Sequence, residues 1–414
     1  MDLVSIIVLC IAIIAAFLLK VNTGFVAMSA ALVLCHVAGI QEKWLISQFN
    51  SSQFIMLLGV MYLFCIAQDN KSLDLLAKKA LALCKGKAKL FPLILFLLGA
   101  IFSAIGPGLI SATALMAVLI VALAKEIGVH PIKLLPFGTL GTFAGGLSPI
   151  TPSGIVAIST AEKTGIFGLE LPLFIGMALT NILFGLILYF FVFKWHKYKP
   201  ATSIDNPVAE KTPSFTLKQW ATLAGIVVTA ILTTVFGVNV GLAAFAVAVI
   251  LTAIGAADEG NSMKRVPWGT LIMITGVGML ISLVTDLGGI KLLENALNAI
   301  STERTAAAIK AALAGVMSWV SSASGVVMPT LIPTVSNADP NAIGITVALC
   351  VGAHMAALSP LSSCGGLMLS AYSTSGEISA EERNKVFGQL FAMSAAGVGF
   401  AALLALTGVF GLFG

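Results

Sequence analysis

Long apolar segments without charged residues are the feature that most constrains this chain. Ten of them have about the length of a membrane span, at about 3–19, 23–40, 49–68, 132–160, 171–193, 220–236, 238–257, 268–285, 342–372 and 386–413. A helix of roughly 20 apolar residues is needed to cross the hydrocarbon core of a bilayer. Charged residues make up only 10% of the 414-residue chain. We therefore expect an all-α polytopic membrane protein and exclude a water-soluble enzyme.

Two further apolar segments, at about 91–124 and 306–335, are too long for a single helix. Each is interrupted in the middle, one by Gly106-Pro107-Gly108 and the other by Ser321-Ser322-Ala323-Ser324-Gly325. Small and helix-breaking residues at these positions predict either two spans or a re-entrant hairpin. The internal repeat described below favours hairpins, and both alternatives leave the flanking loops on the same sides.

The distribution of basic residues predicts the orientation in the membrane. With two hairpins and an outside N-terminus, 18 of the 23 Lys and Arg residues fall on the cytoplasmic side. Such an excess is typical of cytoplasmic loops. We therefore predict a multi-pass protein of the inner (plasma) membrane with both termini outside. The basic residues are scattered over many loops, so the net charge of +5 indicates no nucleic-acid partner.

The two halves of the chain are similar to each other. At an offset of 217 residues, Val21-Asn22-Thr23-Gly24 matches Val238-Asn239-Val240-Gly241, and Gly59-Val60 matches Gly276-Val277. At an offset of 211, Leu147-Ser148-Pro149-Ile150-Thr151 matches Leu358-Ser359-Pro360-Leu361-Ser362. We infer two repeats, 1–193 and 219–414, joined by a cytoplasmic linker at 194–218. Five spans per repeat, an odd number, place the second repeat upside down, as in alternating-access transporters.

Spans four and nine are both interrupted near their centres, at 145–154 and 358–366. Unwound backbone inside a membrane is tolerated only where it lines a protein-buried or water-filled cavity. In the first break we expect Thr151 to cap a helix that starts at Pro152. The partial positive charge of that helix start favours an anion. The competing interpretation is a kink in each helix that binds nothing.

The hairpin tips and the helix breaks supply the candidate binding residues. The predicted substrate contacts are Ser103, Gly106, Pro107, Gly108, Thr151, Ser153, Ser322, Ser324, Gly325, Ser362 and Ser363. The predicted Na⁺ ligands are the hydroxyls of Ser148, Thr151, Ser359 and Ser362.

The coupling ion is predicted from the charges that the spans lack. We assign no acidic or basic residue to the interior of a span or hairpin, which favours Na⁺ over a proton as the coupling ion. We expect no cofactor and no catalytic residue. His354 is the possible proton site, and a hydrogen-bonded packing histidine is the competing interpretation.

Three segments carry a resemblance to a known family. They are Val60 to Asn70, Ala144-Gly145-Gly146-Leu147-Ser148-Pro149-Ile150, and Val238-Asn239-Val240-Gly241. With them the chain resembles, over nearly its whole length, the MatC-type malonate/dicarboxylate carrier family of the ion transporter superfamily. The resemblance implies import of a small dicarboxylate. It also implies a fold similar to the divalent-anion/sodium symporters, which are homodimers with a fixed scaffold and a transport domain that moves as an elevator.

The hairpin tips depart from that pattern. The sodium symporters carry Ser-Asn-Thr motifs there, whereas this chain has no Asn at either tip. The carboxylate contacts of those relatives therefore cannot be assigned to residues of this chain.

Other functional classes fit the sequence less well. A cation/proton antiporter on the same fold should have an acidic residue at mid-membrane. An intramembrane hydrolase would pair Ser153 or Ser324 with His354, but the sequence has no HExxH or GxSG motif. A passive channel does not need two hairpins that close from opposite sides. A proton-coupled organic-anion transporter is the alternative that stays open.

Overall fold

The computed structural model describes residues 1–19, 21–82, 88–106, 108–126, 128–197, 213–373 and 378–413. Within these ranges the chain is helical and has no β-strand. Pro107 and most of the predicted linker lie outside the described residues. The all-α fold class predicted from the sequence is confirmed.

Each half of the chain is built from the same series of helices. The first half has α1 (Asp2–Leu19), α2 (Thr23–Val37), α3 (Glu42–Ser47), α4 (Ser51–Asp69), α5 (Ser72–Ala82), α6 (Phe91–Ala104), α7 (Gly108–Glu126), α8 (Leu135–Gly145), α9 (Pro152–Lys163) and α10 (Glu170–Val192). The second half has α11 (Leu217–Thr234), α12 (Val240–Ala253), α13 (Glu259–Arg265), α14 (Trp268–Asp286), α15 (Gly289–Ala299), α16 (Ala306–Val320), α17 (Ala323–Thr334), α18 (Ala342–Met355), α19 (Ser363–Ser373) and α20 (Ala380–Leu406).

The helix boundaries follow the offsets found in the sequence. Adding 217 to 51 and 69, the bounds of α4, gives 268 and 286, which are the bounds of α14. Adding 211 to 152, where α9 begins, gives 363, where α19 begins. Asn22 and Asn239, also 217 apart, accept a hydrogen bond from the backbone N–H of Gly24 and Gly241, respectively. The repeat thus extends to the helix boundaries and caps, while the inverted orientation of the two halves in the membrane stays a prediction.

The helices pack as two units, each drawn from both halves. In the first unit, α2 packs against α14 and α12 packs against α4. In the second unit, the hairpin helices pack against the broken helices, α6 on α8 and α16 on α18. Helices α10 and α20 cover the second unit. The hairpins and the broken helices therefore share one unit and meet the other unit along α4 and α14.

The outer surface of the protein is apolar. Five helices of the described residues are long and apolar enough to cross a membrane. The hairpin helices and the first arms of the broken helices are shorter, as expected for elements that turn inside a membrane. Large apolar side chains such as Val33, Phe191, Val249 and Leu403 are exposed. An exposed apolar surface of this extent fits contact with lipid, and the protein is a multi-pass membrane protein.

Lys310 corrects one expectation from the sequence. The chain was expected to have no charged side chain inside a span or hairpin, but Lys310 lies in α16 and is buried. Its ammonium group donates to the carbonyl oxygen of Thr334 at 2.6 Å and lies 3.4 Å from the Thr334 hydroxyl. These contacts tie the first arm of the second hairpin to the end of α17. The charge is satisfied by a residue 24 positions away, which the local sequence does not reveal.

Candidate anion-binding site

Four helices begin at one cavity. Gly108, Pro152, Ala323 and Ser363, the first residues of α7, α9, α17 and α19, all line a cavity of about 160 Å³ between the two packing units. Each helix start carries a partial positive charge and backbone N–H groups without an intrahelical partner. Several such ends directed at one space form a site suited to an anion. The two hairpins and the two broken helices each contribute one of these ends.

The two helix breaks have the same hydrogen-bonded structure. The Thr151 hydroxyl lies 2.8 Å from the carbonyl oxygen of Gly146 and 2.7 Å from that of Ser148, and it accepts the backbone N–H of Gly154. This confirms the predicted cap, with Pro152 as the first helical residue.

The second break repeats these contacts at an offset of 211. The Ser362 hydroxyl lies 2.7 Å from the carbonyl oxygens of Ala357 and Ser359, and it accepts the backbone N–H of Gly365. One hydroxyl in each loop therefore joins the end of the preceding helix to the start of the next.

The two hairpin tips are built differently. The first turns at Gly106 and Gly108, both at positive φ (130° and 77°), which glycine adopts without strain. The ring of Phe64 lies directly beneath Gly106 and leaves no room for a β-carbon there. In the second tip the Ser322 hydroxyl caps α17 by accepting the backbone N–H of Gly325 at 3.0 Å. Both tips close against the cavity.

Arg265 supplies the only formal charge among the side chains that line this cavity in the described part of the chain. It is the last residue of α13, and its side chain is about half exposed. Its Nε lies 3.6 Å from a carboxylate oxygen of Asp69 at the end of α4. The planar guanidinium group can form paired hydrogen bonds to a carboxylate. The cavity thus combines one cation with four positive helix ends.

Two buried polar atoms of lining residues have no hydrogen-bond partner among the described residues. They are Nε2 of His354 and Oγ of Ser318. Nδ1 of His354 lies 2.8 Å from the carbonyl oxygen of Cys350 and must carry the proton, because a carbonyl only accepts. In the neutral ring Nε2 is then an acceptor. Buried polar groups left unpaired inside a protein are costly, which suggests a ligand or water at this place.

The cavity gathers many of the residues predicted from the sequence, but not all. The predicted residues that line it are Gly108, Ser153, Ser322, Ser324, Ser362, Ser363 and His354. Those that do not line it are Ser103, Gly106, Ser148, Thr151, Gly325 and Ser359. Thr151, Ser148 and Ser359 lie in the loops just behind the lining residues, whereas Ser103 is buried within α6. The assignment of substrate and Na⁺ ligands therefore stays a prediction.

Sequence reasoning missed three polar residues of the site: Arg265, Gln68 and Ser318. Arg265 stands in a basic loop between two spans, where the sequence gives it only a role in orientation. Gln68 follows an apolar run and resembles a span end. The one available signal was their repeat register, because Asp69 and its neighbours recur at 286.

Comparison with known proteins supports a transport protein. Residues 1–146, about a third of the chain, match the family described as "Dicarboxylate carrier protein MatC N-terminus". This confirms the resemblance seen in the sequence over those residues. No curated protein matches the chain.

A solved structure shares the fold. The YdaH transporter of Alcanivorax borkumensis, described as having an unusual topology, aligns with a TM-score of 0.56 at 12% identity. The alignment covers 89% of this chain and 86% of that one. At this identity the likeness establishes the fold alone. Both comparisons are with transport proteins, in agreement with the expectation that the chain is not an enzyme.

Proposed function

We propose that this protein is a secondary active transporter that imports a small dicarboxylate, malonate or a C4-dicarboxylate, together with Na⁺. The observation that carries the proposal is the convergence of four helix starts and Arg265 on one cavity. A dianion has two carboxylates, so one can face the helix starts while the other pairs with the guanidinium. The match of residues 1–146 to a dicarboxylate carrier family supports this substrate class.

The proposed Na⁺ sites are the two helix breaks. Carbonyl oxygens of Gly146 and Ser148 in one loop, and of Ala357 and Ser359 in the other, already converge on a capping hydroxyl. A carbonyl oxygen has a second lone pair, and hard oxygen ligands at unwound backbone suit Na⁺. A cation bound there would order both loops and add positive charge beside the anion. In this account Na⁺ binding precedes dicarboxylate binding.

The two packing units supply a path for alternating access. The unit that holds the hairpins and broken helices contains the helix starts, while α4 and α14 of the other unit form the opposite wall. We propose that the first of these units moves as an elevator against the second within a homodimer. Movement of a rigid unit would carry the site across without dismantling its contacts.

A proton-coupled organic-anion transporter is the second candidate. The observation that favours it is the unpaired Nε2 of His354 at the cavity wall. A protonated ring could donate to a carboxylate and carry one proton with each dicarboxylate.

Uptake into proteoliposomes separates the two. Radiolabelled malonate and succinate would be offered to vesicles with an imposed Na⁺ gradient or an imposed pH gradient. We expect accumulation under the Na⁺ gradient. Accumulation under the pH gradient alone would move the coupling role to His354, and no accumulation of either acid would reject the proposed substrate class.

A further inference from the structure

A second cavity, of about 310 Å³, repeats the composition of the first at an offset of 217 residues. Met61, Cys65 and Gln68 line the first cavity, and Gly278, Ser282 and Thr285 line the second. The second cavity is thus formed around α14 as the first is formed around α4.

The two cavities share one wall. Ile274 of α14 lines both, and its side chain is buried. An apolar side chain between two polar spaces is a barrier to ions, because a bare charge cannot cross it without losing its hydration.

Each cavity also contains one basic side chain, and the two come from different positions in the repeat. Arg265 lines the first cavity, whereas its repeat partner Gln48 lines the second. The second cavity instead has Lys163, the last residue of α9. Asp286, the repeat partner of Asp69, lies beside it. The distribution of basic residues in the sequence predicts that Arg265 and Lys163 lie on opposite sides of the membrane.

We propose that the second cavity is an anion-attracting vestibule on the membrane face opposite to Arg265, with Lys163 as its cation and Ile274 as the seal between the two. The inference rests on the proposed function for the identity of the anion, a small dicarboxylate. The existence of two vestibules on opposite faces does not depend on which substrate is carried.

Thiol labelling tests the vestibule without any transport measurement. Cys65 and Ser282 form a matched pair, one in each cavity and 217 residues apart. Two single-cysteine proteins would be compared in oriented proteoliposomes, one that keeps Cys65 and one with Cys65→Ser and Ser282→Cys. We expect a membrane-impermeant thiol reagent to modify them from opposite sides. Modification of both from the same side, or no modification of the Ser282→Cys protein, would overturn the proposal.

Two variants in the Ser282→Cys protein test the roles of Lys163 and Ile274. Lys163→Gln should lower the ratio of the modification rates by anionic and cationic methanethiosulfonates several-fold, while Lys163→Arg should keep it. Ile274→Ala should admit the reagent from the side of the first cavity, and Ile274→Val should not. An unchanged rate ratio would remove Lys163 from the proposal, and an unchanged sidedness in Ile274→Ala would refute the seal. Because labelling needs no substrate, these results are independent of the uptake experiment.

Discussion

Gly59 and Gly241 lie so close together that a β-carbon on Gly59 would stand 2.2 Å from the Gly241 carbonyl oxygen. The same approach recurs between their repeat partners, where a β-carbon on Gly276 would stand 2.4 Å from the carbonyl oxygen of Gly24. Helices α4 and α12, and α14 and α2, are therefore in direct backbone contact. Close approach of this kind through small residues is how helices associate within a membrane. These two crossings fix α4 and α14, the helices that form one wall of each cavity.

Gly276→Ala is expected to destabilise the protein by about 1–3 kcal/mol, because overpacking a close contact forces the backbones apart. Gly278→Ala is the matched control, since a β-carbon two residues further along the same helix would meet nothing within 4 Å. The melting temperature of the purified protein in detergent measures both. Equal melting temperatures for the two variants would contradict the crossing described here.

Arg265→Gln is expected to raise the KM for malonate uptake about 10- to 100-fold, because a hydrogen bond to a charged group is worth roughly 1.5–3 kcal/mol. Arg265→Lys should lie between wild type and Arg265→Gln, since it keeps the charge but loses the paired geometry. Lys264→Gln changes the same net charge one residue away, at a side chain that does not line the cavity. If Lys264→Gln and Arg265→Gln have the same KM, Arg265 does not contact the substrate.

Thr151→Ala is expected to weaken Na⁺-driven uptake and to cost roughly 0.5–2 kcal/mol of stability through the lost helix cap. Thr151→Ser should restore both, because Ser362 makes the equivalent contacts in the other break. Ser159→Ala, on the same helix, removes a hydroxyl whose contact is 3.4 Å from a carbonyl within the helix, and it should leave uptake unchanged. The Na⁺ concentration for half-maximal uptake is the measurement. An unchanged value in Thr151→Ala would argue against a cation in this loop.

His354→Gln is expected to retain accumulation of malonate under a Na⁺ gradient at constant pH. The side chain lines the cavity, so a modest change in KM is compatible with the account. Uptake by wild type and variant would be compared with Na⁺ and pH gradients imposed separately. Abolished accumulation in a His354→Gln protein that still binds malonate would make His354 the coupling residue.

Much of this architecture could be predicted from the sequence, because its determinants are local. Asn22, Asn239 and Thr151 cap helices that begin within two residues of them, and the two unwound loops carry their own Pro and Ser signals. The repeat offset could be read from identities such as Val21-Asn22 and Val238-Asn239.

What the sequence could not provide depends on contacts between distant elements. Arg265 reaches the site only because α13 packs against α4, and Lys310 is satisfied by Thr334. Ile274 is one apolar residue among many in its span until the cavities on its two sides are known. Ser103 was predicted at the site because it precedes the hairpin break, yet its position within α6 buries it away from the cavity.

The central claim is that a dianion binds between the four helix starts and Arg265 in a Na⁺-dependent way. Equilibrium binding of radiolabelled malonate to the purified protein, in Na⁺ and in choline buffers, tests this claim most directly. We predict saturable binding in Na⁺ that is weak in choline, that succinate or malonate displaces and acetate does not, and that Arg265→Gln weakens at least tenfold. Absence of saturable binding in Na⁺, or equal displacement by acetate, would contradict the account.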